Sequence, residues 1–446
     1  MFSSSSGQRV AGVTGLRKAG PRCQYFRFAT AVAVVTALLA TTSCATSAAN
    51  NAGTTAACRT LEAQLPWPEG VREQLQKTID AHSSCTGTAR GDKPPAAIFD
   101  WDNTVVKNDI GYGTNFWMLR NDKVLQPANK DWKSTSRYLT EAAAKALTTA
   151  CGTETPAGQP LKTSSNVDCA DEILAILDEK TRSGEPAFEG LNARRLNGAY
   201  AWGTALSAGY SEEQLGHFAL AMKQENLSAA EGSTQTVGSQ QVDGYIRIYP
   251  QIKDLIGTLQ AHGIETWVVS ASPEPVVKAW AGDVGIDAKH VVGVRSVYEN
   301  GIQTTHLKGC GGVPDGEDSV MTYIEGKRCW ANQEIFGVAG PSAFEQLPAE
   351  RRQILAAGDS GTDVTFVADA TEARLVVNRN NAEIMCRAYD NEGGNWLITP
   401  MFIDPKPQRS EPYACATEAY TNPDNSKGPV KREDGSIIPD QMDRVH

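Results

Sequence analysis

Ala96-Ala97-Ile98-Phe99-Asp100-Trp101-Asp102-Asn103-Thr104 is an apolar run that ends abruptly in two aspartates two residues apart. It reads as a buried strand delivering carboxylates to the C-terminal edge of a parallel sheet. Open α/β sheets bind ligands along that edge. If the backbone curls after Asp100, both carboxylates face one pocket, and their repulsion raises the proton affinity of one. One then stays ionised as a nucleophile or metal ligand while its neighbour carries a proton. Taken alone, Asp-x-Asp also fits a solvated turn, so its meaning depends on partners elsewhere in the chain.

The first partner is Gln353-Ile354-Leu355-Ala356-Ala357-Gly358-Asp359-Ser360-Gly361-Thr362-Asp363, a second buried strand that meets a glycine-permitted turn and presents Asp359 and Asp363. The second is Ile264 to Ser270, a β-branched run ending in a hydroxyl, with Ser272-Pro273-Glu274 behind it as the start of a helix. A strand ending in serine before a helix N-terminus makes an anion site, although Ser272 also reads as a plain cap. Lys308 and Lys327 compete as the cation for that anion. His290 to Val294 and Ala373 to Val377 add strands, Tyr298 to Gly301 a hairpin turn, and Pro250 to Leu259 a helix.

Between the first and second strands, from about Lys107 to about Val242, the pattern is helical, with a capping box at Ser211 to Gln214. This predicts a helical cap over 107–242 with a Gly/Ser-rich hinge or flap at Glu231 to Gln241, inserted into a core of 58–106 and 243–405. The expected fold is α/β, a three-layer Rossmann-like parallel sheet with the cap between strands one and two. From Pro405 onward composition turns polar and proline-rich; 406–446 reads as a polar C-terminal tail, with little fixed structure expected beyond Cys415.

The 446 residues carry a net charge of −10, which argues against a nucleic-acid partner but not against a phosphate ester neutralised locally. Arg17, Lys18, Arg22 and Arg27 precede an apolar stretch, Phe28 to Ala40, too short to span a membrane; 1–57 reads as an export signal and flexible tether. Leu38 to Cys44 resembles the lipobox of bacterial lipoproteins, with Thr41 where an aliphatic residue is usual, so a lipidated Cys44 and cleavage near Ala48 are both open. Leaving aside Cys23 and Cys44, eight cysteines remain, an even number that reads as disulfides in an exported chain. Pairing neighbours closes short loops, but eight cysteines allow 105 connectivities.

Together, Asp100-x-Asp102-x-Thr104, the Ser270 strand end, a lysine, and Gly358-Asp359-x-x-x-Asp363 resemble, in order, the four motifs of the haloacid dehalogenase-like phosphohydrolases. Within them the exported phosphorylcholine phosphatase group shares the Ser-Ala-Ser-Pro-Glu run at Ser270, Tyr-x-Glu-Gly-Lys ending at Lys327, and the stretch Met385 to Pro405. The resemblance implies that Asp100 attacks phosphorus and that Asp102 protonates the leaving alkoxide. It implies Ser270 and Lys327 on the phosphoryl oxygens, and Mg²⁺ on Asp100, the Asp102 carbonyl, Asp359 and, directly or through water, Asp363. Lys327 is preferred to Lys308 because it lies nearer the fourth motif. Asp109, Tyr112 and Trp117, at the root of the cap, offer an acidic and aromatic site for a quaternary ammonium. The expectation is an exported Mg²⁺-dependent phosphomonoesterase acting on phosphocholine, with no protein partner. The alternatives are a phosphatase for phosphoserine or another small phosphomonoester, a phosphoryl transferase, and a non-catalytic surface lipoprotein that binds a phosphorylated ligand.

Overall fold

A computed structural model describes residues 58–85 and 94–446. The signal segment and Cys44 lie outside the described residues. Six strands form the central sheet: β1 (Ala96–Phe99), β2 (Glu265–Pro273), β3 (Val291–Val294), β4 (Leu355–Gly358), β5 (Ala373–Asn378) and β6 (Trp396–Pro400). Their order is β6-β5-β4-β1-β2-β3 and every pairing is parallel. β1 lies at the centre, with Ile98 registered against Ala356 on one side and Trp267 on the other. That position explains its unbroken apolar run, since a strand covered on both faces has no exposed side to make polar.

Alternate side chains of β1 enter different apolar clusters. Ala97 and Phe99 pack with Leu75 of α1 (Val71–Ala81) and, across the same face, with Leu255, Leu259, Val277 and Trp280; Ile98 joins Ala356, Val376 and Phe366 on the other. The sheet is therefore the middle of three layers, as the sequence predicts.

Five helices lie between β1 and β2: α2 (Ile110–Arg120), α3 (Glu141–Cys151), α4 (Val167–Leu177), α5 (Gly198–Ala205) and α6 (Glu212–Ser228). Ser211 and Gln214 form the anticipated capping box on α6. The chain enters and leaves this region through one antiparallel ribbon, Val106–Lys107 against Arg247–Ile248. The Gly/Ser-rich exit is a β-hairpin, Thr234–Val237 with Gln240–Asp243. Its tip is tethered: the Ser239 N–H and hydroxyl donate to the two carboxylate oxygens of Asp171, each at 2.7 Å. After α7 (Pro250–Ala261), β2 and α8 (Glu274–Ala281), the second half adds α9 (Glu325–Glu334), α10 (Val364–Ala368) and α11 (Ala382–Asp390).

Three sequence readings need correction. Residues 406–446 are packed: Tyr413, Cys415, Val430 and Ile438 are buried against α11 and its surroundings. Buried Asp443 accepts from Asn378 Nδ2 at 3.0 Å and from the Tyr389 hydroxyl at 2.7 Å. Polar composition misleads here because one disulfide and a buried carboxylate do the work of a longer apolar run. Secondly, β2 does not stop at Ser270; pairing with β3 carries it to Pro273, and α8 has no side-chain cap. Thirdly, the sequence reading places no strand after Ala373 to Val377, whereas β6 follows α11 at the sheet edge, ending in proline, where a missing N–H costs nothing.

Four disulfides join consecutive cysteines: Cys58–Cys85, Cys151–Cys169, Cys310–Cys329 and Cys386–Cys415. They point to an oxidising compartment. No helix among the described residues is long and apolar enough to cross a membrane.

Candidate active site

β1 ends at Phe99, and the Asp100 N–H extends the ladder by donating to Ala357 O at 2.9 Å. The backbone then curls: the N–H groups of Thr104, Val105 and Val106 all donate to Trp101 O, and Asn103 takes a φ of 60°. This turn brings both aspartates to one cavity of about 480 Å³ at the carboxyl edge of the sheet. β4, next to β1, delivers Asp359 and Asp363. Gly358 is required there, because a Cβ would lie 2.6 Å from the Asp363 Cβ.

Asp100, Asp359 and Asp363 each bring a carboxylate oxygen within 4.8 Å of the others. Lys327, fully buried at the start of α9, donates to Asp100 Oδ1 at 2.5 Å and to Asp363 Oδ1 at 2.6 Å. Ile324, just before that helix, holds a φ of 46°, a strained conformation for a β-branched residue. Its N–H donates to Thr362 O at 2.9 Å, which ties the lysine's helix to the Asp363 turn. Lys308 is exposed and outside the cavity. Asp363 Oδ2 accepts the N–H groups of Asp359 and Ser360, each at 3.0 Å. The Thr104 hydroxyl lies 3.0 Å from Asp359 Oδ1 and 3.3 Å from Asp100 Oδ2.

Asp102 is held apart from that triad. Its Oδ1 accepts the Ile110 N–H at 2.7 Å and its Oδ2 the Ser272 hydroxyl at 2.7 Å, with the Ser270 hydroxyl 3.5 Å away. Gly111 makes room for this, since a Cβ there would meet Ser272 Oγ at 2.5 Å. Buried Ser270 also accepts the Ser272 N–H at 3.0 Å.

Burial pushes the carboxyls of Asp100, Asp102 and Asp359 above the ordinary aspartate range; Asp363 pushes Asp100 further and Asp109 pushes Asp102 further, while on Asp359 the Arg379 guanidinium pulls down against Asp363. Burial works against the Lys327 ammonium, but Asp100 and Asp363 outweigh it and hold its pKa above the usual value.

Asp109 and Tyr112 line the same cavity. Asp109 caps α2 by accepting the Tyr112 N–H at 2.7 Å, and the Tyr112 hydroxyl donates to Leu177 O at 3.0 Å. Trp117 does not reach the cavity. Five residues beyond Tyr112 it lies about 140° round the helix, stacks on Phe218 of α6 at 5.4 Å and donates to Glu225. Tyr200 of α5, edge-on to Tyr112 at 5.6 Å, and Tyr245 are the other rings at the cavity. Sequence reasoning also misses Arg379, which follows β5 and donates from Nη1 to Asp359 Oδ2 at 2.6 Å.

Residues 168–367 match the family model described as haloacid dehalogenase-like hydrolase. The match spans β2, Lys327, Asp359 and Asp363, at the sheet edge just described. It supports a haloacid dehalogenase-like hydrolase. Among solved structures, a conserved functionally unknown protein from Anaerococcus prevotii DSM 20548 is 16% identical, with coverage of 77% of this chain and 94% of that one and a TM-score of 0.54. At that identity the likeness shows the fold alone. A protein of unknown function from Bordetella pertussis Tohama I (17% identity, 68% and 96% coverage, TM-score 0.39) also matches. So does a substrate-bound phosphoserine phosphatase complex (12% identity, 64% and 87% coverage, TM-score 0.29). With such TM-scores these two carry no argument. No curated protein matches.

Haloacid dehalogenase-like phosphatases imply a divalent cation, and the donor set fits one. Three converging carboxylates are the hard oxygen ligands that Mg²⁺ takes. With the three converging aspartates ionised, Lys327 offsets one charge and two remain, the complement of a dication.

Proposed function

We propose that this protein is an exported Mg²⁺-dependent phosphomonoesterase working through an aspartyl-phosphate, with phosphocholine as its substrate. The observation that carries the reaction is the separation of two carboxyl environments: Asp100 beside Lys327, Asp359 and Asp363, and Asp102 alone against Ile110 and Ser272.

Asp100 attacks phosphorus, and the phosphorus–oxygen bond to the alcohol breaks as the new bond forms. Asp102 gives its proton to the departing alkoxide; burial keeps that proton in place at higher pH than an exposed aspartate would hold it. Asp102, now ionised, takes a proton from the water that attacks the phosphoryl-aspartate, which restores both carboxyls and releases phosphate. Lys327 and the Ser270 hydroxyl meet the phosphoryl oxygens. Asp100, Asp359 and Asp363, with the Asp102 carbonyl, would hold Mg²⁺, which would supply the positive charge that lets an anion approach a dianionic ester. Splitting hydrolysis into two displacements lowers each barrier.

Asp109, Tyr112 and Tyr200 support a cationic leaving group, since an ammonium gains from aromatic faces and an acidic neighbour. A second reading has its own observation. Lys107 and Lys406 line the same cavity beside Asp243 and Asp404, and paired opposite charges suit a zwitterionic alcohol such as serine. Phosphate release from phosphocholine, phosphoserine and glycerol phosphate decides between them, and the choline assignment falls if phosphocholine is not the best of the three. Asp100→Asn is expected to abolish turnover of every ester while the melting temperature holds. Retained turnover would discard the mechanism, and a wild-type protein that releases no phosphate from any ester would leave a binding protein. Lipid attachment at Cys44 is tested by mass spectrometry of the mature N-terminus.

A further inference from the structure

Arg379 lies outside the four motifs, yet it reaches into the centre of the site. It stands one residue past β5, whose carboxyl end neighbours that of β4. Its backbone is anchored from both sides: Asn378 Nδ2 donates to Asp443 Oδ1 at 3.0 Å and to Val445 O at 2.6 Å, and the Tyr413 hydroxyl donates to Asn380 Oδ1 at 2.9 Å. The C-terminal segment thus props the short turn that carries Arg379.

The side chain itself is less confined. It is 36% exposed and lines the cavity, and its Nη1 donates to Asp359 Oδ2 at 2.6 Å. Lys327, by contrast, is fully buried and bridges two carboxylates. Of the three carboxylates that converge, Asp359 is the one held by a cationic side chain with a way out toward solvent.

We propose that Arg379 is a built-in competitor for the cation at Asp359. A guanidinium that stays on Asp359 Oδ2 leaves a divalent cation only Oδ1, already the acceptor of the Thr104 hydroxyl at 3.0 Å, and two cations on one buried carboxylate repel each other. Arg379 therefore sets how much free cation the site needs, and it leaves Asp359 when the cation arrives. The inference rests on the cation site argued above but not on any turnover.

The test is calorimetric titration of MgCl₂ into chelator-stripped protein without substrate, for wild type, Arg379→Met, Arg379→Gln and Lys107→Met. Lys107 is the control because it lines the same cavity but pairs with Asp404, at 3.8 Å. If the arginine masks Asp359 nine-tenths of the time, removing it lowers the apparent Kd about tenfold. Both arginine variants should show this gain, and Lys107→Met should not. Unchanged or weaker binding in both, an equal gain in Lys107→Met, or no Mg²⁺ binding by any of the four overturns the proposal. A protein that shows the arginine effect but releases no phosphate keeps this inference and loses the phosphatase reading.

Discussion

At the scale of single residues, the site is a contest between burial and charge. Ser272 and the Ile110 N–H orient Asp102, so Ser272→Ala removes one of the hydrogen bonds that position it. At about 1.5 kcal/mol this lowers kcat roughly tenfold, with KM for whichever ester is turned over little changed, which steady-state kinetics would read. The raised proton affinity of Asp102 has a sign that can be checked. A carboxyl whose folded pKa lies above its unfolded one contributes stability at low pH and loses it as pH rises through the folded value. Asparagine cannot ionise, so without cation Asp102→Asn should melt above wild type by a margin that widens as pH climbs beyond about 4. A margin constant with pH would refute the burial argument. The acidic residues were legible because an uncharged strand running into aspartates has few other uses. Ser272, Tyr200 and Arg379 were not. Ser272 sits where a helix cap is expected, and the other two come from separate elements whose approach only the folded chain reveals.

Among elements, the strands of the central sheet announce themselves because both faces are covered and no polar residue interrupts them. Trp117 shows the limit of that approach. Its nearness to Asp109 in sequence suggests the cavity, but helical rotation carries it to the seam between α2 and α6. The segment after β6 shows another limit, since hydropathy does not register a disulfide or a buried Asp443. The Cys386–Cys415 bond spans 29 residues. Chain-entropy arguments give a loop of that size about 3–4 kcal/mol, and Cys386→Ser with Cys415→Ser should lower the melting temperature accordingly while β1 and β4 keep their pairing. Hydrogen exchange would locate the loosening in 406–446 and α11.

For the molecule as a whole, the C-terminal segment is part of the structure on which the site depends. Ending the chain at residue 405 exposes Cys386, Tyr389 and the α11 face and removes the props on either side of Arg379. The truncated protein is expected to express poorly or aggregate, and a soluble truncation with wild-type phosphate release would contradict this view. The four disulfides carry a further consequence. Each joins a cysteine to the next one along the chain among the described residues, and none of the four loops encloses or crosses another. A polypeptide threading N-terminus first into an oxidising space can seal every bridge as soon as its second thiol emerges. The oxidation schedule is thereby written in the order of synthesis, and maturation needs an oxidant far more than it needs an enzyme to reshuffle wrong partners.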